Sequence, residues 1–450
     1  MRLPAPAPKL DEMLARPELA TALLRVLAAV DGPLVEGRYL HWDAVRHRTP
    51  PPGLTSDEWW LGLTLRRQSN FRALPLLSAD GTPFRYGMPD AVLELLHWID
   101  QHAAGEAMVS ETIGDRGDQR RYLVNSLIEE AVTSSQLGGA NATRKVAKEM
   151  IRSGRPPRDR AERMILNNYL AMTDLRELAR EPLTPDGVHR LHRTLTQDTL
   201  DHPSAAGRLQ GPDEVRAHVE WTDETVTHVP PPAHQLPARL AAMCQYAHGG
   251  AEFTHPVVRA VMLHLWLAYD HPFGDGNGRT ARALFYREML ASGYWLFQYV
   301  SISRLLLKAP AQYGLSFLHT ETDGFDATYF LLYQLGILRR AIEDLLAYLL
   351  RKGAEARETE ALLRRGDLNH RQVALLTHAL RHGDAVYTVH AHGESHRVTR
   401  QSARSDLLDL ERRGLLQRRV VGRRFEFLPA SELRERLRAA AAAPASVSAG

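Results

Sequence analysis

The stretch HPFGDGNGRTAR, His271 to Arg282, decides how this chain is read. Before it runs HPVVRAVMLHLWLAYD and after it ALFYREMLASG, both with apolar residues recurring at i, i+3 and i+4. The spacing predicts one helix ending near Asp270 and another starting near Asn277, joined by a tight loop. Gly274, Gly276 and Gly278 lift the steric limits on that loop, so successive amides can converge on one anion, and the dipole of the following helix adds to the field. Such a loop is a phosphate cradle.

Asp275 sits inside the cradle, where phosphates would repel it unless a cation intervened; Mg2+ held by one carboxylate and phosphate oxygens resolves the conflict. Arg279 and Arg282 stand three apart in the first helical turn and can fork onto further phosphate oxygens. Two cations fit a polyphosphate better than a single phosphate. His271 titrates near neutrality and is suited to take a proton from an attacking hydroxyl. Phe273 is expected to anchor the loop in the core. The pattern GxxxxGK[ST] is absent and no strand precedes the loop, so P-loop and dinucleotide-fold readings fail.

Outward from the loop the chain reads as mainly α. Its 450 residues, with 44% hydrophobic and 24% charged side chains, suit a globular protein of two or three domains. No apolar run reaches membrane-spanning length, and TALLRVLAAV is too short and too interrupted for a signal peptide, so the chain is expected in the cytoplasm without a membrane partner. Cys244, the single cysteine, excludes an internal disulfide and a multi-thiolate metal site, and is read as a buried inert thiol.

The expected organisation is a mainly helical N-terminal domain over 1–105, a helical core over 106–350, a linker over 351–367, a winged helix-turn-helix over 368–430, and a flexible tail over 431–450. Alternation in EVRAHVEWTDETVTHVPPP marks a hairpin at 215–230 within the helical core. SADGTPFRYG is a hairpin or a loop, and Trp59 and Trp60 are expected to pack the N-terminal domain. HRQVALLTHALR, a shorter helical piece and TRQSARSDLLDLERRG, followed by RRVVGRRFEF, give the three helices and basic hairpin of the winged helix.

The run His271 to Arg282 resembles the motif HPFx(D/E)GNGRxxR of the Fic (Fido) family without a gap, and the resemblance extends over roughly 106–350. It implies a helical core that transfers AMP from ATP to a Ser, Thr or Tyr hydroxyl of a target protein, the chain itself included, releasing pyrophosphate. Carried over by position, His271 is the base and Asp275 the Mg2+ ligand. Gly274, Gly276, Asn277 and Gly278 hold the phosphates, Arg279 and Arg282 clamp the rest, and Tyr313 lies where the family lines its adenine pocket, a buried core tyrosine being the alternative. The hairpin looks like the family's flap, which aligns an extended target segment. Gln210, in GRLQ, departs from the arginine frequent there. A homodimer is a further candidate partner, and relatives that use other nucleotides, phosphorylate, or remove AMP keep those alternatives open, as does a nucleotide-sensing DNA-binding regulator.

Many relatives carry an inhibitory helix ending in (S/T)xxxE(G/N). The helix expected over 119–139 ends in SSQLGGA, matching from Ser134 except that Gly138 stands at the Glu position. A carboxylate there would compete with ATP for a guanidinium, so Gly138 implies a released form with Arg282 free, natural or engineered, the intact surroundings favouring engineering. The alternative is that Gly138 and Gly139 form an ordinary helix C-cap. Elsewhere, His390, His392 and His396 in HAHGESH could suggest a metal but, with no Cys and irregular spacing, are read as solvated turn residues, and His264 as a core residue or one supporting the site from behind. His189 and His192 share a helix face without evident partners. The tail's RRGLLQRRVVGRRF is basic enough to meet DNA phosphates or to dock a protein.

Overall fold

A computed structural model describes residues 3–104, 116–216, 219–221, 225–250, 252–365, 367–421 and 424–442. The chain divides into two units, Met1–Leu346 and Ala347–Gly450. Both are built mainly from helices, with three two-stranded antiparallel sheets among the described residues.

The first unit opens with three short helices, Leu10–Leu14, Pro17–Thr21 and Leu23–Ala29, packed on the longer helix Ser56–Gln68. Thr55 and Glu58 close a reciprocal capping box at its start, and Trp59, Trp60 and Leu61 bury against Met13, Val26 and Val45. SADGTPFRYG falls in a hairpin of Phe71–Leu77 and Pro83–Gly87.

Two helices form the centre. Pro256–Asp270 starts with proline at its first position, where the missing N–H costs nothing, and is apolar on every side, so it is buried all round. Asn277–Ala291 packs along it and is buried almost as completely. Around them lie Arg160–Leu178, capped by Asp159, and Pro185–Thr196, capped by Thr184.

The helix Arg116–Leu137 packs on Arg160–Leu178, on Ser303–Lys308 and on Asn277–Ala291. Its buried Glu130 accepts from Ser301 Oγ at 2.8 Å, from the Ser303 amide at 3.1 Å and from Ser303 Oγ. A buried carboxylate satisfied this way fixes the helix in rotation and along its axis. The hairpin at 215–230 comprises Val219–Trp221 and Thr225–His228; its tip, Thr222 to Glu224, lies outside the described residues.

In the second unit the helix Thr328–Arg365, which begins in the first, continues through the stretch expected as a linker. Then come His370–Arg381, Val389–His396 and Arg400–Arg412, the hairpin Leu416–Val421 with Arg424–Pro429, and a helix Leu433–Ala442. That last helix occupies the beginning of the expected flexible tail, and it forms because Leu433 and Leu437 bury with Leu376, Leu407 and Phe427. HAHGESH is helical rather than a turn, and His392 is buried with Nε2 3.1 Å from Asp406, while His390 stays exposed.

Candidate functional site

The loop between the two central helices is locked by its own residues. Asn277 uses its side chain twice on Phe273, donating from Nδ2 to the carbonyl at 2.7 Å and accepting from the amide at 2.9 Å. Phe273 is fully buried and stacks on His192 with ring centroids 3.7 Å apart. His192, expected to lack partners, accepts from the Gly207 amide at Nδ1 (2.9 Å) and therefore donates from Nε2 to the Asp275 carbonyl (2.8 Å). Burial pushes its imidazole down to about 4, which suits this neutral tautomer. Its partners lie far off in sequence, so the pattern of one helix could not reveal them.

Gly276 is the position where glycine is required. Its φ is +83°, and a Cβ would come within 2.6 Å of Thr196 Cγ2 and 3.3 Å of His192 Nε2. Gly274 differs, since a Cβ added there would meet nothing within 4 Å. Past Gly276, the amides of Asn277, Gly278 and Arg279 open the helix without intrahelical acceptors, the arrangement that binds anions.

His271 caps the preceding helix in a left-handed conformation, φ 45° and ψ 52°. Its Nδ1 lies 3.4 Å from the Ala268 carbonyl, which can only accept, so Nδ1 carries the proton and Nε2 keeps its lone pair. Burial pushes the imidazole down to about 4. Asp275 presents a side chain 45% exposed, with Oδ2 3.4 Å from Arg279 Nη2 and 3.6 Å from Arg160 Nη2.

The two arginines are less free than their spacing suggests. Arg279 is buried and donates from Nη1 to the Leu195 carbonyl at 2.9 Å. Arg282, expected to be unengaged, donates from Nε to Ser134 Oγ at 2.9 Å and from Nη2 to the Ser134 carbonyl at 2.8 Å. Gly138 faces Arg279 instead: a Cβ there would lie 3.5 Å from Arg279 Nε, at ordinary contact distance from all its neighbours. The helix cap needs only Gly139, at φ +92°, since Gly138 has no positive φ. Neither backbone nor packing therefore demands glycine at 138.

The Tyr313 hydroxyl and His264 Nε2 share a hydrogen bond of 2.7 Å, and burial raises the pKa of Tyr313. His264 is fully buried, as expected of a core residue, and pushed down to about 3 by burial and the nearby Arg282. Cys244 is buried, with its thiol pushed up to about 11.

Sequence reading missed Arg216. It donates from Nη2 to the Asp270 carbonyl at 2.6 Å, from Nη1 to the His271 carbonyl at 3.0 Å, and from Nε to the Pro231 carbonyl at 3.1 Å. Nη1 also reaches Gln210 Oε1, and the Gln210 backbone N–H donates to the Pro272 carbonyl at 2.9 Å. Arg216 thus ties the root of the hairpin to the backbone carrying His271, with Gln210 held beside it. No three His, Cys, Asp or Glu side chains group to hold a metal among the described residues, and no described helix is long and apolar enough to cross a membrane.

Residues 182–289 match the family model described as the Fic/DOC family. The chain is 33% identical over 115 residues to a protein adenylyltransferase Fic of Nematostella vectensis, covering 25% of this chain and 24% of that one. It is 37% identical over 68 residues to the protein of the same name from Culex quinquefasciatus, covering 15% and 14%. The chain thus matches a quarter or less of the length of these relatives. The crystal structure of a Fic family protein from Desulfovibrio desulfuricans G20 superposes with a TM-score of 0.53 at 18% identity, over 77% of this chain and 98% of that one, which shows a shared fold.

Proposed function

We propose that this chain, which carries a Fic/DOC family domain, is a protein adenylyltransferase that moves AMP from ATP onto a hydroxyl of a target protein, the chain itself included. In the reaction the hydroxyl oxygen bonds to the α-phosphorus, the bond to the bridging oxygen breaks, pyrophosphate leaves, and the hydroxyl proton passes to His271 Nε2.

One observation carries the reading. His271 keeps Nε2 unprotonated by turning Nδ1 to the Ala268 carbonyl, and the same short loop opens into the amides of Asn277, Gly278 and Arg279, which have no intrahelical acceptor. A base and an anion nest on one loop suit attack at a phosphorus whose oxygens the nest holds. The Asn277 side chain, spent on Phe273, contributes rigidity, and its amide is what remains for phosphate.

Asp275 fits Mg2+ that arrives with the nucleotide. A lone, half-exposed carboxylate suits an ion that takes most of its shell from phosphate oxygens and water. When bound, that ion would neutralise phosphate charge. The hairpin Val219–Trp221 and Thr225–His228 is two-stranded, so an extended target segment can add to its edge and present a hydroxyl toward His271. With glycine at 138, no carboxylate competes at Arg279, consistent with an enzyme released from inhibition.

The test is incubation with ATP labelled at the α-phosphate, with and without Mg2+, followed by separation of proteins. Label on protein from the α but not the γ position is expected. Label only from the γ position would identify phosphate transfer instead.

A further inference from the structure

We propose that the second unit binds duplex DNA, with the helix Arg400–Arg412 entering the major groove. The inference is independent of adenylyl transfer and stands on the second unit alone.

Charge is concentrated there. Residues 368–442 hold fourteen arginines and no lysine against eight aspartates and glutamates, a net of +6, whereas the whole chain carries +3. Part of this positive charge is neutralised locally. Arg371 pairs with Asp406, Arg412 and Arg413 with Asp409, Arg418 with Glu411, Arg419 with Glu426, and Arg438 with Glu358.

One patch escapes this pairing. Arg397, Arg400 and Arg404 are exposed, as is Gln401, and among the described residues their side chains make no ion pair or hydrogen bond. Arg400 and Arg404 are one helical turn apart and share a face, with Gln401 beside them. Three guanidiniums left together in water repel one another, and an external anion that meets all three relieves that repulsion.

The framework around the patch has the shape of a groove reader. Val389–His396 and Arg400–Arg412 pack together across a three-residue turn, Arg397 to Thr399. The inner face of the second helix is fixed by Ala403, Leu407 and Leu410 in the core, and by Asp406, which accepts from Arg371 Nε at 2.7 Å and lies 3.1 Å from His392 Nε2. Its outer face at the N-terminal end is the patch. Helices of a helix-turn-helix read DNA with those N-terminal residues; arginine matches the guanine edge and glutamine the adenine edge. Arg424, exposed and also unpaired among the described residues, lies at the turn of the following hairpin, where it would meet a phosphate outside the groove. Exposed Val420, Val421 and Phe425 on that hairpin are what a protein partner would use instead.

Fluorescence anisotropy of the full chain against labelled duplex of random sequence tests this, from about 50 to 200 mM salt. Binding is expected, weakening steeply as salt rises. Replacing Arg397, Arg400 and Arg404 together by alanine should weaken it at least about tenfold and flatten the plot of log K against log salt by about 3, near 0.9 for each phosphate no longer neutralised. Removing equal charge at Arg16, Arg190 and Arg339 in the first unit should change little. Because all three patch residues are exposed, the unfolding midpoint should hold, and the single change Arg404→Glu should weaken binding in the same direction. No binding at the lowest salt, equal loss from both triple variants, or preference for single strands would overturn the proposal; a docking surface for protein gives the first result. Label transfer from ATP, measured on the same variants, reports separately on the first unit.

Discussion

Arg282 and Ser134 stand 148 residues apart and are joined twice, guanidinium Nε to the hydroxyl at 2.9 Å and Nη2 to the carbonyl at 2.8 Å. The helix Arg116–Leu137, itself pinned through Glu130, thereby sets the orientation of a guanidinium in the first turn past the loop. Its remaining N–H groups, with the Tyr313 hydroxyl close by, are the ones a ligand can meet.

Ser134→Ala removes one of the two bonds and leaves the carbonyl in place. Stability should fall by about 1 kcal/mol, and KM for ATP should rise several-fold with kcat little changed, because pre-orientation of Arg282 serves ground and transition states alike. Steady-state kinetics with chemical denaturation check both; an unchanged KM would show that Arg282 takes no part in nucleotide binding.

Gly138→Glu should fold as well as the parent, since a Cβ at 138 meets only ordinary contacts and the backbone there is not left-handed. The new carboxylate reaches Arg279, and label transfer should drop at least tenfold. Equal activity would mean the guanidinium is not needed by the nucleotide.

The loop's glycines should respond unequally. Gly276→Ala forces a side chain into φ +83° and into Thr196, and should cost about 2–3 kcal/mol with loss of activity. Gly274→Ala meets open space and should leave the melting temperature within error. Equal effects would contradict the loop geometry.

Buried histidines should make the fold acid-sensitive. Burial holds His41 and His264 at about 3, and His192, His271 and His319 at about 4. The unfolded chain binds protons at these sites below about 6.5 while the folded chain does not, so stability rises with pH between about 3 and 6.5 and is lost as pH falls through that window. For His264 alone the loss at pH 5 is about 2 kcal/mol. Denaturation at pH 7, 6 and 5 should show a falling midpoint, and an unchanged one would mean that these imidazoles are not buried neutral.

Much of the fold was legible because its helices are strongly periodic: the central pair around His271 to Arg282 lies where spacing put it. The helix Leu433–Ala442 was hidden by a run of alanines, since what holds it is the burial of Leu433 and Leu437 in a core assembled from distant segments. At the site, the loop's chemistry was local and could be read, while its scaffolding was not. His192 on Phe273, Arg216 on the His271 carbonyl and Ser134 on Arg282 are contacts between segments tens of residues apart, and a single sequence carries no sign of them. The spacing of Arg279 and Arg282 correctly put both near the loop, but could not tell that each already has a protein acceptor.

The central claim is that His271 takes the proton while the neighbouring loop holds the phosphates. The most direct measurement compares the parent with His271→Ala for two quantities, transfer of α-phosphate label to protein and binding of ATP with Mg2+ by calorimetry. The account predicts label on protein with the parent, its loss in the variant by at least a hundredfold, and nucleotide affinity within a few-fold of the parent. Undiminished transfer by His271→Ala would contradict it.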